Sequence, residues 1–158
     1  MAESFVNFVT TTSYGSWLPG DARGYVERGE LMPASPALEQ HARCLLRQEP
    51  VLFSHDEGDR LERAILAACD EFGYRLFDLS IESWHLHWIV RHDADAKSMI
   101  GRLKNRMRQE LRRGRIWTKG YWRRELRTEE ELLIARQYIR RHPGCRIIGG
   151  QRFPLRPN

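Results

Sequence analysis

Two strand-like segments follow one another between residues 75 and 90, with too few residues between them for a helix. Residues 75–82 alternate apolar and polar side chains, and the second segment begins directly after Ser83 and Trp84. Consecutive strands joined by such a short connection pair as an antiparallel hairpin. We therefore expect this hairpin at the centre of an antiparallel sheet, with the rest of the chain arranged around it.

Capping signals predict helices before and after the hairpin. Residues 54–57 are a Ser-x-x-Glu capping box, and apolar residues then recur at helical spacing until Gly73 ends the helix. A second helix is predicted over residues 98–113, with Ser98 as its N-cap and Gly114 closing it. Both helices have one apolar face, so both should pack on the sheet.

The remaining segments predict one α+β domain over residues 1–158. Residues 128–131 are another capping box, whose helix has to end near His142 because Pro143 disfavours helical geometry in the residue before it. The other predicted elements are strands over residues 5–12 and 121–126, a short helix over 36–49 and an extended piece over 51–53. The order β-α-β-β-α-β predicts a ferredoxin-like antiparallel sheet with an extra C-terminal helix, an insertion-like segment at residues 27–53 and a tail without periodicity at 144–158.

Two histidines stand one residue apart in the second strand of the hairpin. Alternate side chains of a strand share a face, so His85 and His87 point to the same side. The opposite side is apolar and consists of Trp84, Leu86, Trp88 and Val90. This apolar set accounts for the packing of the strand, which leaves two neighbouring imidazoles able to reach one cation. Taken alone, the pattern also fits ordinary hydrogen-bonded histidines.

The predicted C-terminal helix presents a tyrosine together with a third histidine. Tyr138 and His142 are four residues apart and therefore lie on one helix face. A nucleophile and a further metal ligand would then stand side by side. The alternative is that Tyr138 packs its ring in the core with its hydroxyl at the edge.

The basic residues favour a polyanionic partner. The net charge is +5, and basic side chains interleaved with aromatic ones concentrate between residues 97 and 124, where Glu110 is a rare acidic residue. Such a pattern suits single-stranded or hairpin nucleic acid, because cations hold phosphates and rings stack on bases. The predicted DNA-binding residues are Lys97, Arg102, Lys104, Arg106, Arg108, Arg112, Arg115 and Lys119.

With these motifs in this order, the sequence resembles the single-tyrosine HUH transposases, and most closely the REP-associated tyrosine transposases. The family's His-hydrophobe-His strand motif is matched by His85, Leu86 and His87, and its nucleophile by Tyr138. A polar residue four positions after the tyrosine, usually Asn or Gln and often followed by Pro, completes the family's metal site. Here that position is His142, a departure that bears on which metal is preferred.

The resemblance implies a metal-dependent DNA-nicking and strand-joining enzyme. It implies that His85, His87 and His142 hold Mg²⁺ or Mn²⁺, that Tyr138 attacks the scissile phosphate, and that the product is a 5′-phosphotyrosine with a free 3′-hydroxyl. It further implies a single-stranded DNA substrate that contains a hairpin. Three imidazoles suit a transition metal better than a hard cation, so Mn²⁺ satisfies both arguments best.

Other interpretations remain open from the residues alone. One is a non-catalytic nucleic-acid-binding module with structural histidines, and another is a metal-dependent hydrolase, which would need acidic groups near the histidine pair. No apolar run approaches the roughly 20 residues that span a bilayer, and the three widely spaced cysteines fit reduced thiols, so we expect a cytoplasmic protein without a membrane partner. A monomer and a homodimer are both compatible with the sequence.

Overall fold

A six-stranded antiparallel sheet carries the fold of the computed structural model, which describes residues 3–28 and 30–154. A separate two-stranded hairpin is formed by β2 and β3. In chain order the elements are β1 (Phe5–Thr12), β2 (Tyr25–Glu27), β3 (Glu30–Met32), α1 (Pro36–Cys44), α2 (His55–Phe72), β4 (Arg75–Ile81), β5 (His85–His92), α3 (Ala96–Leu111), β6 (Trp122–Glu125), α4 (Glu129–Arg140), β7 (Cys145–Ile148) and β8 (Gln151–Arg152).

The strand order is β6-β1-β5-β4-β7-β8, and it confirms the predicted fold class. The β4–β5 hairpin lies at the centre of the sheet, as its short connection indicated. Strand β1 pairs with β5 on the other side, so β5 is inserted between β1 and β4, which are joined in the chain through α2. This is the split β-α-β arrangement of ferredoxin-like folds. Every pairing in the sheet is antiparallel.

The two faces of the sheet are covered by different helices. On one face, Leu86, Trp88 and Val90 of β5 pack against α2 and α3 in the larger hydrophobic cluster. On the other face, Ile89 of β5 belongs to a smaller cluster with Ile139 of α4. Because side chains alternate along β5, the face that carries Ile89 also carries its two histidines. The histidines therefore lie on the α4 side.

The capping prediction is confirmed for α2 and is wrong for the start of α3. Ser54 and Glu57 form the reciprocal capping box of α2, and Gly73 ends that helix with φ 72°. Helix α3 begins at Ala96, because Asp95 is its N-cap and accepts a hydrogen bond from the backbone N–H of Ser98. Ser98 is thus in the first turn. Asp95 is also a good N-cap residue, and its carboxylate satisfies one of the free N–H groups of a first turn that starts three residues earlier than predicted.

The C-terminal region contains two strands that the sequence did not indicate. β7 pairs with the free edge of β4, and β8 pairs with β7. Cys145 and Ile147 alternate inward along β7, but a strand of four residues is too short for its alternation to stand out. The prediction of a tail without regular structure is therefore wrong for residues 145–152, and residues 155–158 lie outside the described part.

The segment of residues 27–53 is also more regular than its composition indicated. It contains β3 and α1, and α1 ends at Cys44 rather than near Glu49. Residues 51–53 are extended without being a strand: the backbone N–H of Val51 donates to the carbonyl of Tyr14, and that of Phe53 to the carbonyl of Ser83. The segment is therefore tied to the start of the chain and to the hairpin turn.

Candidate active site

The register of the sheet places one row of side chains across four strands. Thr10 of β1 lies opposite His87 of β5 on one side and opposite Trp122 of β6 on the other, and His87 lies opposite Ser80 of β4. Directly opposed residues project from the same face of an antiparallel sheet. Thr12 and His85 form the next pair in the same direction. The two histidines therefore have polar and aromatic neighbours that come from distant parts of the chain.

The fold brings His142 to the two histidines of β5. The ring centroids of His87 and His142 are 4.5 Å apart, those of His85 and His87 are 4.8 Å apart, and those of His85 and His142 are 5.8 Å apart. One ring nitrogen of each residue lies within 4.8 Å of those of the other two. Among the described residues, this is the one cluster of three or more His, Cys, Asp or Glu with metal-ligand spacing.

Helix α4 is anchored so that its C-terminal end meets the histidine strand. Ala135 and Ile139 are buried in the smaller cluster, and Arg136 donates from Nε to the buried carboxylate of Asp78 at 3.0 Å. His142 lies just beyond the helix, but its backbone N–H still donates to the carbonyl of Ile139. One further helical turn therefore keeps His142 beside Tyr138, at 4.8 Å between ring centroids.

Glycine is required immediately after the third histidine and its proline. A Cβ on Gly144 would collide with the carbonyl oxygen of Ile81 at the end of β4. The close approach allows the N–H of Ile81 to donate to the carbonyl of Gly144, and the N–H of Gly144 to donate to the carboxylate of Glu82. The chain that follows His142 is thus held against the hairpin that carries His85 and His87.

The protonation states suit metal binding. Burial lowers the pKa of His85 to about 4 and that of His87 to about 3, with the neighbouring imidazoles adding to the effect, so both rings are neutral near pH 7. His142 donates from Nδ1 to the carbonyl of Tyr138 at 2.9 Å, which leaves the lone pair on Nε2. Neutral imidazoles with a lone pair directed into a cluster are the form that binds divalent metals.

One ring nitrogen of the cluster lacks a hydrogen-bond partner. Nδ1 of His85 is buried without one within the described part of the chain; the hydroxyls of Ser80 and Thr11 and the indole N–H of Trp88 are unpartnered too, but Thr11 and Trp88 lie on the opposite face of the sheet. Buried polar atoms normally have partners, so those that lack one call for a ligand. The histidine cluster therefore fits a bound cation.

Tyr138 stands at the mouth of the cluster. Its ring lies 5.3 Å from that of His87 and 5.8 Å from that of Phe8, and 47% of the residue is exposed. The interpretation of Tyr138 as a core residue is therefore wrong, because nearly half of the residue is in solvent. A phenol exposed beside three imidazoles is accessible to a substrate in solvent.

An open cleft of about 910 Å³ leads to these residues. His85, His87, Tyr138 and His142 all line it, and its walls carry four exposed or half-buried aromatic rings, two of which come from the basic and aromatic stretch that the sequence assigned to nucleic-acid binding. These four are Trp17, Trp84, Tyr121 and Trp122.

The prediction that Trp84 belongs to the core face is wrong, since it precedes β5 and its ring contacts those of Trp17 and His85. The sequence signal that could have indicated a role for Trp17 is an aromatic residue within a Gly- and Pro-rich loop.

The predicted DNA-binding residues are divided between the two faces of the sheet. Lys119 lines the cleft, whereas Lys97, Arg102, Arg106 and Arg108 belong to α3, whose buried face packs on the opposite side with α2. Several of these cations have partners within the protein. Arg102 donates to the hydroxyl of Tyr74, and Arg106 pairs with Glu71.

The DNA-binding prediction also covers three residues with local contacts or unusual backbone geometry, which are Lys104, Arg112 and Arg115. Lys104 donates to the carbonyls of Thr118 and Gly120, and burial lowers its pKa. Arg112 ends α3 in the left-handed region with φ 53°, and the guanidinium of Arg115 lies over the ring of Tyr14. The assignment of these side chains to DNA binding stays a prediction.

Comparison with known proteins supports the fold. No family model and no curated protein matches this chain. A solved REP-associated tyrosine transposase, bound to a REP hairpin, is similar over 82% of this chain and 61% of its own length, with a TM-score of 0.53 and 12% identity. The chain thus spans about three fifths of that protein. A Deinococcus radiodurans structure provisionally assigned as a transposase is similar over 89% of this chain and 92% of its own, with a TM-score of 0.46 and 11% identity.

Proposed function

We propose that this protein is a metal-dependent endonuclease and strand transferase that acts on single-stranded, hairpin-bearing DNA, in the manner of a tyrosine transposase. The observation that carries the proposal is the placement of an exposed Tyr138 against three histidines from two separate elements. Packing alone gives no reason for this combination. The transposase-like fold adds to it, and the net charge of +5 suits a DNA partner.

His85, His87 and His142 are the residues that would hold the cation. A divalent cation bound there would supply Lewis-acid stabilisation of the negative charge on a scissile phosphate. The three side chains are nitrogen donors, which transition metals accept more readily than Mg²⁺ does. We therefore favour Mn²⁺ over Mg²⁺ as the cofactor of this chain.

Tyr138 would be the nucleophile. Its phenolic oxygen forms a bond to phosphorus while the bond from phosphorus to the 3′ oxygen breaks, which leaves a 5′-phosphotyrosine and a free 3′-hydroxyl. The phenolic proton passes to solvent, since the ring is 47% exposed, and the departing 3′ oxygen takes up a proton. Attack on the phosphotyrosine by a 3′-hydroxyl then restores a phosphodiester and the phenol, and this rejoins strands without ATP.

The partner would be a folded single strand of DNA. A REP hairpin is bound by the structurally similar transposase, and the basic surface of α3 offers a place for duplex phosphates. The proposal leaves both a monomer and a homodimer open. The described residues include no helix long and apolar enough to cross a membrane, and a DNA substrate agrees with the expected cytoplasmic location.

The test is formation of a covalent adduct between the protein and DNA. We would incubate the full chain with end-labelled hairpin oligonucleotides and Mn²⁺ and look for a shifted band on a denaturing gel. We expect the band with the wild-type chain and none with Tyr138→Phe, which keeps the ring but removes the nucleophile. His87→Ala should also abolish the adduct while leaving hairpin binding largely intact.

Three results would contradict the proposal in different ways. If no hairpin in a varied set gives an adduct although hairpins bind, the chain is a non-catalytic binding module. If Tyr138→Phe still forms the adduct, Tyr138 is not the nucleophile. If Tyr138→Phe instead retains strand hydrolysis without an adduct, the histidines serve a hydrolase.

A further inference from the structure

Two of the three clustered histidines are oriented by hydrogen bonds, and the third is not. Thr10 is hydrogen-bonded to Nδ1 of His87, and Nδ1 of His142 donates to the carbonyl of Tyr138. No hydrogen bond within the described part of the chain holds the ring of His85, whose Nδ1 is buried without a partner. The χ2 torsion of a histidine has broad minima, so the direction of its ring depends on its neighbours. Another kind of contact therefore has to orient His85.

The ring of Trp84 makes the close contact with His85. Their centroids are 4.1 Å apart, which is shorter than the 4.5 Å between His87 and His142. Consecutive residues of a strand point to opposite faces, but Trp84 precedes β5, and its carbonyl accepts from the backbone N–H of Ser13 at 2.8 Å. The indole is therefore not bound by the alternation of the strand and lies against the imidazole that follows it.

The loop that follows β1 holds the indole of Trp84. The rings of Trp17 and Trp84 meet edge to face at 6.2 Å, and the guanidinium of Arg23 lies 4.4 Å from the centroid of Trp84. Trp17 is itself fixed, because its indole N–H donates to the carbonyl of Gly24 at 2.8 Å. A planar guanidinium stacks on an aromatic face, and this restricts the positions that the ring can take.

Arg23 is fixed in its turn by a buried carboxylate. Its Nε and one terminal nitrogen donate to the two oxygens of Asp21 at 2.8 and 2.7 Å, and the same terminal nitrogen donates to the carbonyl of Ser16 at 3.0 Å. Asp21 is 8% exposed. A bidentate pair of this kind permits one orientation of the guanidinium. A continuous chain of contacts therefore runs from Asp21 through Arg23 and Trp84 to His85.

We propose that Arg23 and Trp84 are positioning residues for His85, in place of the hydrogen bond that each of the other two histidines has. The inference rests on the proposed function, because it concerns affinity for the cation that the three histidines would hold. Groups that orient a metal ligand raise affinity, since the ligand does not have to be ordered when the cation binds. The stack holds the imidazole in place before the cation arrives.

The charge of Arg23 and its stacking act in opposite directions on a bound cation. The guanidinium disfavours positive charge at His85, so its charge alone would weaken cation binding. Its stacking on Trp84 would strengthen cation binding by holding His85. Removal of the arginine therefore raises Mn²⁺ affinity if only its charge matters and lowers the affinity if positioning dominates.

The test measures the Mn²⁺ affinity of the metal-free full chain by isothermal titration calorimetry. We expect Arg23→Leu to bind Mn²⁺ about 10-fold more weakly, the lower end of the cost of losing a group that orients a ligand. Arg23→Lys keeps the charge but not the planar guanidinium, so it should be weakened similarly. An affinity in Arg23→Leu that equals or exceeds that of the unmodified chain would overturn the inference.

Substitutions of the indole test the next contact in the chain. Trp84→Leu should also bind Mn²⁺ about 10-fold more weakly, whereas Trp84→Phe keeps an aromatic ring and should recover most of the affinity. Arg63→Leu is the matched control for the loss of an arginine, because Arg63 is exposed on α2, which covers the opposite face of the sheet. If Trp84→Leu binds Mn²⁺ as tightly as the control, Trp84 does not position His85 and the inference fails.

Nuclear magnetic resonance of the metal-free chain tests the orientation of the imidazole without any cation. An aromatic ring shifts the resonances of protons close to it, so Arg23→Leu should move the ring-proton resonances of His85. Those of His87 should move less, because Thr10 holds that ring independently. Resonances of His85 that stay where they are would overturn the inference, and circular dichroism establishes that the variant is folded.

The outcomes also separate this inference from the proposed function. If the unmodified chain forms the Mn²⁺-dependent adduct and Arg23→Leu binds Mn²⁺ equally well, the positioning role fails and the enzymatic function stands. If Arg23→Leu weakens Mn²⁺ binding but no hairpin gives an adduct, the positioning role stands and the enzymatic function fails. If the unmodified chain binds no Mn²⁺, both fail.

Discussion

The hydroxyl of Thr10 lies 2.7 Å from Nδ1 of His87, across the β1–β5 pair, and leaves Nε2 as the nitrogen available to a cation. A hydrogen bond at the ring nitrogen that does not bind the metal fixes the orientation and tautomer of a ligating imidazole. We predict that Thr10→Val weakens Mn²⁺ binding by about 10- to 100-fold, the usual cost of losing such a partner. Isothermal titration calorimetry on the metal-free protein measures it directly.

The control for this prediction is Thr10→Ser, which keeps the hydroxyl and should bind Mn²⁺ nearly as well as the unmodified chain. Thr10→Val has nearly the same shape, so thermal unfolding of the metal-free protein should change little. An unchanged Mn²⁺ affinity in Thr10→Val would show that the hydroxyl does not position a ligand.

Substitutions on the basic surface of α3 should weaken DNA binding without changing the rate of adduct formation. Lys97 and Arg108 are exposed on the helix that packs across the sheet from the histidines. We predict that replacing both with alanine weakens hairpin binding and lowers the slope of log affinity against log salt by about 1 for each phosphate that is no longer bound. The adduct rate at saturating DNA should stay within about twofold, because neither side chain lines the cleft.

Arg43→Ala is the control for the loss of positive charge at Lys97 and Arg108. Arg43 is exposed on α1 and paired with Glu39, so Arg43→Ala should leave the salt slope as it was. If the α3 variant keeps both its affinity and its slope, the hairpin binds elsewhere and the DNA-binding prediction for α3 is wrong.

The ion pair between Arg136 and Asp78 anchors the helix that carries Tyr138. Asp78 is fully buried, and besides Arg136 its carboxylate accepts only from the backbone N–H of Gly149 among the described residues. We predict that Arg136→Met lowers the free energy of unfolding by about 3 kcal/mol, because a buried carboxylate loses its cation. Urea unfolding measures the change, and the yield of covalent adduct should fall with it.

A double variant shows whether the charge is the cause. Asp78→Asn combined with Arg136→Met removes the uncompensated carboxylate and should recover at least half of the lost stability. If the double variant is as unstable as Arg136→Met, the loss comes from packing of the arginine side chain rather than from the buried charge.

The stability of the metal-free protein should depend on pH through three buried imidazoles. Burial lowers the pKa of His85 to about 4, lowers that of His87 to about 3, and lowers that of His92 as well. In the unfolded chain their pKa values return to about 6.5. Below that pH the unfolded state takes up protons that the folded state does not, so the free energy of unfolding falls between about pH 6.5 and pH 3.

His92 allows this to be tested away from the candidate metal site. It accepts from Asn7 and donates to the carbonyl of Ala94, both at 2.8 Å. We expect urea unfolding of His92→Gln in EDTA to show a smaller loss of stability between pH 7 and pH 5 than the unmodified chain shows. An identical pH dependence would mean that His92 is already protonated in the folded state or does not titrate when the chain unfolds.

Local patterns were sufficient for most of the elements and for singling out the four residues that the structure brings together at the candidate site. The period-2 alternation in β4, the capping box at Ser54, the N-cap at Thr128 and the four-residue spacing of Tyr138 and His142 each depend on a few neighbouring residues. At Thr128 the predicted box forms only in part, because the carboxylate of Glu131 accepts from the N–H of Arg127. Such short-range patterns do not depend on how the rest of the chain folds. The short strands β2, β3, β7 and β8 escaped prediction because two to four residues carry too little periodicity.

Long-range packing decided how these residues come together as a candidate site. Which face of the sheet α4 covers depends on burying Ile139 against Ile89 and on pairing Arg136 with Asp78, contacts between distant segments. The same packing put the basic helix α3 on the opposite face from the histidines and made an aromatic cleft from the loop after β1, the β4–β5 turn and the start of β6. Residue spacing encodes the face of a single element, whereas the face of the sheet against which that element packs is settled only when all the apolar surfaces compete for burial.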